Sequence, residues 1–144
     1  MLSSILDTST VPVLEQVVNF TQARHGVLAG NIANIDTPGY KTRDLSPEDF
    51  QENLKEAIEY RHRAAESPTY AINAALAGKK PVTGYDGMDQ VRESMKHVLF
   101  HDNSDVGIEQ QVAEIVKNQA QHNLALSLMT SQFRLLRAAI TERA

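Results

Sequence analysis

The sequence predicts a mainly α-helical protein, whose two long terminal helices pair as an antiparallel coiled-coil hairpin. An irregular, partly disordered middle segment is expected between them. Apolar residues recur at alternating spacings of 4 and 3 in both arms, which indicates helices with a coiled-coil seam. Prolines, glycines and most charged residues lie between the arms. We therefore divide the chain into an N-terminal helical arm (1–36), a turn with an irregular middle segment (37–106) and a C-terminal helical arm (107–144).

The C-terminal arm carries the clearer periodic signal. Its predicted helix covers residues 107–142 and would be roughly 50 Å long at about 1.5 Å per residue. A single helix of this length cannot cover its own apolar stripe, so it needs a partner helix. The predicted seam consists of Ile108, Val112, Ile115, Gln119, His122, Leu126, Met129, Phe133, Leu136 and Ile140.

The N-terminal arm supplies a candidate for that partner, a helix predicted over residues 11–35. Pro12 is tolerated because an N–H in the first turn has no intrahelical partner. A flanking apolar row of Val13, Val17, Phe20 and Val27 widens the face. The predicted seam consists of Leu14, Val18, Thr21, His25, Leu28, Ile32 and Ile35. Polar residues interrupt both seams, and two interpretations stay open. Either the seam is partly hydrated, or its polar positions fix the register of the helices and the choice of partner.

The middle segment is rich in charged residues, and its prolines and glycines interrupt any long helix. Residues 41–105 carry nine of the 14 basic and twelve of the 18 acidic residues, which is typical of a solvated segment. Within it, Glu48–Glu66 can form a helix around Phe50, Leu54 and Ile58, and a short apolar piece follows near residues 95–100.

Composition excludes several classes of function. The 144 residues include no cysteine, which rules out disulfides and thiolate chemistry, and the net charge of −4 gives no basic footprint for nucleic acid. No stretch approaches the ~18 apolar residues of a membrane span. The first residues lack a basic region before their short apolar run, so we expect no cleaved signal peptide.

The end of the first helix is the most specific stretch of the chain. Asn31 and Asn34 are three residues apart and share one helical face, so both amides could bind the same neighbouring element. They are followed by Asp36-Thr37-Pro38-Gly39-Tyr40. Pro38 followed by Gly39 predicts a type II turn, from which Tyr40 can pack back over the helix end. From local physics alone, an ordinary helix stop is the favoured explanation of this geometry.

The run from Leu28 to Asp44, and the glutamine- and asparagine-rich C-terminal arm, resemble the flagellar axial proteins, the rod and hook family. The family pattern A-x-N-I-A-N-x-x-T-P-G-Y is matched through Asn31, Asn34 and the turn, and the residues after Tyr40 are similar to those of proximal rod proteins. The resemblance covers about residues 10–45 and 102–141. Gly30 departs from it, standing where Ser or Ala is more usual. A helical glycine costs about 1 kcal/mol against alanine, which suggests close packing there.

The resemblance implies a structural subunit of the bacterial flagellar basal-body rod, exported to the periplasm by the flagellar type III apparatus. Its expected partners are other copies of itself and neighbouring rod and basal-body proteins, with no cofactor, nucleic acid or small-molecule substrate. The chain is not expected to be an enzyme. The expected assembly interface consists of Asn31, Asn34, Asp36, Thr37, Pro38, Gly39, Tyr40, Leu126, Met129, Phe133, Leu136 and Ile140.

Three alternatives stay open at this point. The chain could be a sibling rod protein of the same family, or a soluble helical-hairpin adaptor that binds one partner helix. A metal-dependent enzyme built around His97 and His101 is the third, but no H-E-x-x-H motif supports it. The acidic residues near 44–52 are better explained as the charged start of a helix.

Overall fold

The computed structural model describes residues 9–67, 69, 72, 73, 76, 99–101 and 107–141. Three helices, α1 (Val11–Ala33), α2 (Pro47–Glu66) and α3 (Ile108–Thr141), and two short strands, β1 (Arg43–Leu45) and β2 (Leu99–His101), make up this part of the chain. Side-chain contacts join residue 21 to 118, 24 to 114 and 31 to 111. Because the numbers rise along α1 as they fall along α3, the two helices are antiparallel, and the predicted helical hairpin is confirmed.

Helix α1 begins and ends close to the predicted positions. Pro12 lies in its first turn, and the Ser9 hydroxyl accepts a hydrogen bond from the Val11 backbone N–H at 3.2 Å. The helix ends at Ala33, two residues before the predicted end. The expectation of close packing at Gly30 is wrong, because a Cβ atom there would meet nothing within 4 Å.

Helix α2 confirms the helix predicted within the middle segment, with a start one residue earlier. Ser46 caps it by accepting a hydrogen bond from the Asp49 backbone N–H at 3.1 Å, and Pro47 occupies the first turn. The rings of Phe50 and Phe20 stack 4.1 Å apart at an interplanar angle of 7°. Together with Leu45 they form the apolar core, and the side chains packed against it are Val13, Val17, Val27, Leu54, Ala57 and Ile58.

The two strands form a small antiparallel sheet that the sequence did not predict. Arg43 pairs with His101, Asp44 with Phe100 and Leu45 with Leu99. The sheet ties the segment after the turn to the segment before α3. The rest of the middle segment, including most of residues 68–98, lies outside the described residues, and the division into 1–36, 37–106 and 107–144 stays a prediction.

The predicted seam of α3 is half wrong. Ile115, His122, Met129 and Leu136 are half-buried as expected, but Val112, Leu126, Phe133 and Ile140 are exposed. One residue earlier, Gln111, Asn118 and Ala125 are buried instead. Gln132, one residue before Phe133, is half-buried, whereas Ala139, one residue before Ile140, is exposed. On α1, Arg24 and Asn31 are buried where His25 and Ile32 were predicted to be. Polar residues take these positions because each finds hydrogen-bond partners across the seam, as described below.

None of the described helices combines the length and the apolar character needed to cross a membrane.

Candidate functional site

The turn after α1 has the predicted geometry. The Tyr40 backbone N–H donates to the Thr37 carbonyl at 3.1 Å, and Gly39 has a φ of 77°. A proline followed by a positive-φ glycine inside this hydrogen bond is typical of a type II turn. Residues 36–39 are exposed and Tyr40 is half-buried. The Arg43 guanidinium carbon lies 5.9 Å from the centre of the Tyr40 ring, within the range of a cation–π contact.

Asn31, near the end of α1, joins this turn to α3. Its side chain is 1% exposed. Nδ2 donates to the Arg43 carbonyl at 2.6 Å and to Gln111 Oε1 at 3.0 Å, while Oδ1 accepts from the Tyr40 hydroxyl at 3.2 Å and from the Arg43 N–H at 3.1 Å. An amide offers two donor hydrogens and two acceptor lone pairs. Asn31 therefore uses its full hydrogen-bonding capacity to join the turn, β1 and α3.

Asn34 acts differently from Asn31, although the two share a helical face. Its Nδ2 donates at 2.8 Å to the Gly30 carbonyl, which also accepts the Asn34 backbone N–H at 3.2 Å, so the side chain bonds to the last turn of its own helix. The expectation that both amides bind one neighbouring element is thus confirmed for Asn31 and wrong for Asn34.

An ion-pair cluster around the buried Arg24 lies about two turns before Asn31 along α1. Arg24 is 3% exposed. Its guanidinium donates to both carboxylate oxygens of Asp44, at 2.8 and 2.5 Å, and to Glu114 Oε2 at 2.9 Å. The hydrogen bond to Asp44 raises the pKa of Arg24 further above its ordinary value, against the opposing effect of burial. One side chain of α1 therefore binds β1 and α3 at once.

A third polar contact lies one turn earlier still. Asn118 donates to the Thr21 carbonyl at 2.7 Å, and His122 Nδ1 lies 2.9 Å from the Thr21 hydroxyl oxygen. The α1–α3 contact is thus built on three polar groups in succession, centred on Thr21, Arg24 and Asn31. Within the described residues, no group of three or more histidine, aspartate or glutamate side chains could hold a metal ion. His97 and the side chain of His101, on which the predicted metal site depended, lie outside the described part of the chain.

The second half of the expected interface lies at the other end of the hairpin. Leu126, Phe133 and Ile140 are exposed, whereas Met129 and Leu136 are half-buried. Leu126 is 15 positions beyond Gln111, the residue of α3 that binds Asn31. At about 1.5 Å per residue, the two halves are roughly 22 Å apart along α3. The structure therefore separates the turn and the apolar stripe into two surfaces.

Sequence reasoning missed the residues that join the helices: Arg24, Asp44, Gln111, Glu114 and Asn118. One signal was available. Gln111, Asn118 and Ala125 recur every seven residues, as expected of one row of a coiled-coil seam. The neighbouring apolar row outweighed it, because apolar residues were assumed to turn inward.

Comparison with known proteins identifies relatives along nearly the whole chain. Residues 19–41, which cover most of α1 and the turn, match the family described as "Flagella basal body rod protein". The chain is 31% identical over 135 residues to "Flagellar basal body rod protein FlgB" of Aquifex aeolicus (strain VF5), covering 93% of this chain and 94% of that protein. Proteins of the same description match from Escherichia coli (strain K12), at 30% identity over 83% of this chain and 84% of the relative, and from Bacillus subtilis (strain 168), at 23% over 94% and 96%.

Proposed function

The chain belongs to the family of flagellar basal body rod proteins called FlgB, and we propose that it polymerises through its terminal helices as a subunit of the proximal rod. Its place is the flagellar basal body, together with other rod components, and its role is structural. The similarity to the Aquifex protein over nearly the full length of both chains is the observation that carries this proposal.

The distribution of polar and apolar residues on α3 supports assembly. Its buried positions are Gln111, Asn118 and Ala125, while large apolar side chains such as Phe133, which is 49% exposed, remain on the surface. Burying apolar area is the main driving force of association, so this arrangement favours contacts with further subunits. If the contacting surfaces of two subunits differ, repeated addition gives a ring when the rotation between subunits closes and an open helical polymer when it does not.

The turn contributes to assembly in a different way from the apolar stripe. Because the amide of Asn31 is fully used inside the chain, we assign it, with Asn34, to holding the turn in place. The exposed residues Asp36, Thr37, Pro38 and Gly39, with the half-buried Tyr40, are the part that can contact a neighbouring subunit. We assign Leu126, Met129, Phe133, Leu136 and Ile140 to a second contact at the other end of the hairpin.

Three finer expectations stay predictions from the resemblance. They are export by the flagellar type III apparatus, placement of the rod in the periplasm, and export without cleavage of a signal peptide.

Deletion and complementation in the host organism test the function. Loss of the chain should abolish motility and stop rod assembly at the base, and the intact chain supplied in trans should restore both. If rods complete in its absence, the rod role is wrong and the alternative of a soluble helical adaptor gains support.

A matched pair of variants tests the assembly surface. Phe133→Asp places a charge on the exposed apolar stripe, and Ser131→Asp places the same charge two residues away on an exposed polar position. Both side chains are exposed in the single chain, so both variants should keep its helical circular dichroism. We expect Phe133→Asp to prevent recovery of the chain in purified basal bodies, and Ser131→Asp to permit it. Equal recovery of the two would contradict the proposed stripe.

A further inference from the structure

The end of α3 extends beyond the start of α1. Residue 21 faces 118, 24 faces 114 and 31 faces 111, so the numbers of facing residues add to about 140. Helix α1 begins at Val11 and is therefore opposite α3 only as far as about residue 129, whereas α3 continues to Thr141, roughly 18 Å farther. Among the described elements, α3 packs against α1 alone. The last turns of α3 thus have no neighbour in the described part of the chain.

These last turns carry an apolar surface. The half-buried positions Met129, Gln132 and Leu136 continue the row that faces α1, and Phe133 and Ile140 beside them are 49% and 53% exposed. A helix end that packs on nothing is marginally stable in water, and burial of its apolar area would stabilise it. A covering segment is therefore expected along this end of α3.

The eight residues that precede Ser9 have the sequence pattern that such a cover needs. Leu2 and Leu6 are four positions apart, so they share one face of a helix. They precede Phe20 and Arg24 by 18 positions, which is about five turns at 3.6 residues per turn, and Phe20 and Arg24 are both buried. A segment that continues the direction of α1 therefore brings Leu2 and Leu6 to the face that α1 buries.

The connection to α1 directs this segment toward α3 of the same chain. The Ser9 carbonyl accepts a hydrogen bond from Arg61 of α2 at 3.3 Å, and Thr10 has a φ of −81° and a ψ of −3°, in the right-handed helical region. Pro12 permits a bend at this point, because it has no N–H to bond the carbonyl of residue 8.

The length of the segment also matches the uncovered end of α3. Eight residues at about 1.5 Å each span roughly 12 Å, within the roughly 18 Å that α1 leaves uncovered. A short tether gives the segment an effective concentration of about millimolar at its own α3, which favours it over the same segment of a second copy.

We propose that residues 1–8 dock along the end of α3 in the same chain. With facing numbers that add to about 140, Leu6 lies between Gln132 and Leu136, and Leu2 lies between Leu136 and Ile140. Phe133 is beside this contact rather than in it, and it stays available to a neighbouring subunit. The inference is independent of the rod role, which concerns contacts between chains.

Cysteine cross-linking of the purified full chain in dilute solution tests the contact. The natural chain contains no cysteine, and Ser3 faces the exposed Arg137 in the proposed register. Ser3→Cys combined with Arg137→Cys, treated with a short bismaleimide, should give a product with the mass of a single chain in which the two positions are joined. The control pair Ser3→Cys and Glu109→Cys, with its second cysteine about 42 Å away along α3, should give none. Absence of the single-chain product, or equal yields from the two pairs, would overturn the inference.

A matched pair of charge variants tests the apolar contact without cysteines. Leu6→Asp places a carboxylate in the proposed contact, and Ser4→Asp places the same charge on the other side of the segment. We expect Leu6→Asp to accelerate amide exchange at residues 132–139 about tenfold, the size expected for the loss of one buried leucine, and Ser4→Asp to leave it unchanged. Exchange at residues 115–122 should be the same in both variants. Equal exchange at residues 132–139 would contradict the contact. A cross-link that joins two chains only would place the segment on a second copy and also overturn the inference, while the rod role would stand.

Discussion

Helix α1 meets its two neighbours through opposite kinds of chemistry. On one side, Phe20 stacks on Phe50 of α2 within the apolar core. On the other, Thr21, Arg24 and Asn31 reach α3 through hydrogen bonds and an ion pair. Apolar burial is non-directional and tolerates sliding. Polar partners must meet at set distances, and so the α3 side fixes the alignment of the two helices.

This difference bears on assembly. A coiled coil with an apolar inner seam would exclude water by itself, whereas α3 turns amides inward and leaves large apolar side chains outside. The polar side therefore specifies one register within the chain, while much apolar area stays available for other subunits.

A truncation on the apolar side of α1, which faces α2, should cause the largest loss of stability. Phe20→Ala removes a buried ring, 4% exposed, that stacks on Phe50. Such truncations cost about 3–5 kcal/mol, because a cavity remains. We expect about 4 kcal/mol from urea unfolding followed by circular dichroism. The control Phe133→Ala, on an exposed ring, should change the free energy of unfolding by less than about 0.5 kcal/mol. If Phe20→Ala lowers the free energy of unfolding as little as Phe133→Ala does, the stacked pair contributes little to stability.

Removal of the cation from the ion-pair cluster should cause the second-largest loss of stability. Arg24→Met leaves Asp44 and Glu114 close together without their shared cation. Breaking a buried pair costs about 3–5 kcal/mol, and we expect about 3 because both carboxylates keep some exposure to water. Arg63→Met, which breaks an exposed pair with Glu59, should cost less than about 0.5 kcal/mol.

A triple variant separates loss of the cation from repulsion between the acids. Adding Asp44→Asn and Glu114→Gln to Arg24→Met should recover part of the lost stability, because no unpaired charge then remains. If the triple variant is less stable than Arg24→Met alone, the polar side is held by individual hydrogen bonds rather than by charge balance.

Asn31 tests whether the polar side also shapes the turn. Asn31→Asp keeps the acceptors for Tyr40 and the Arg43 N–H, but it replaces the donors to Gln111 and the Arg43 carbonyl with oxygen. We expect a loss of at least about 2 kcal/mol in the free energy of unfolding, since two acceptors lose their donor and the new carboxylate is buried facing their oxygens. Asn34→Asp loses one donor to its own helix and should cost less than about 1 kcal/mol. Amide exchange at residues 40–43 should accelerate only in Asn31→Asp. Equal effects of the two variants would remove the distinction between them.

The apolar side of α1 was predictable from sequence, and the polar side was not. The row Val13, Val17, Phe20 and Val27, and the stripe of Phe50, Leu54 and Ile58, contain apolar residues at helical spacing, which indicates a buried face without knowledge of the partner. The turn was equally readable, because Pro38 and Gly39 restrict the backbone locally.

The polar contacts depend on residues far apart in the chain. Arg24 and Glu114 are separated by 90 positions, and Asn31 and Gln111 by 80. No local pattern shows that such a side chain will find its partner, so apolar periodicity placed the seam of α3 one residue too far along at four of its ten positions. The β1–β2 pair was missed for the same reason, since each strand has 3 residues and acquires its form from the other.

The smallest expected changes in stability come from replacing two glycines, one in the turn and one in the helix before it. Gly39 has a φ of 77°, Gly30 lies inside α1, and a Cβ atom at either would meet nothing within 4 Å. Any effect of alanine must therefore come from the backbone. Gly39→Ala should cost about 1 kcal/mol, because a Cβ atom disfavours this conformation, whereas Gly30→Ala should add up to about 1 kcal/mol, because alanine favours the helix. Opposite shifts of the urea midpoint would show that the turn is held by its own backbone geometry as well as by Asn31. A loss of stability in both variants would mean that the last turn of α1 packs more tightly than this fold allows.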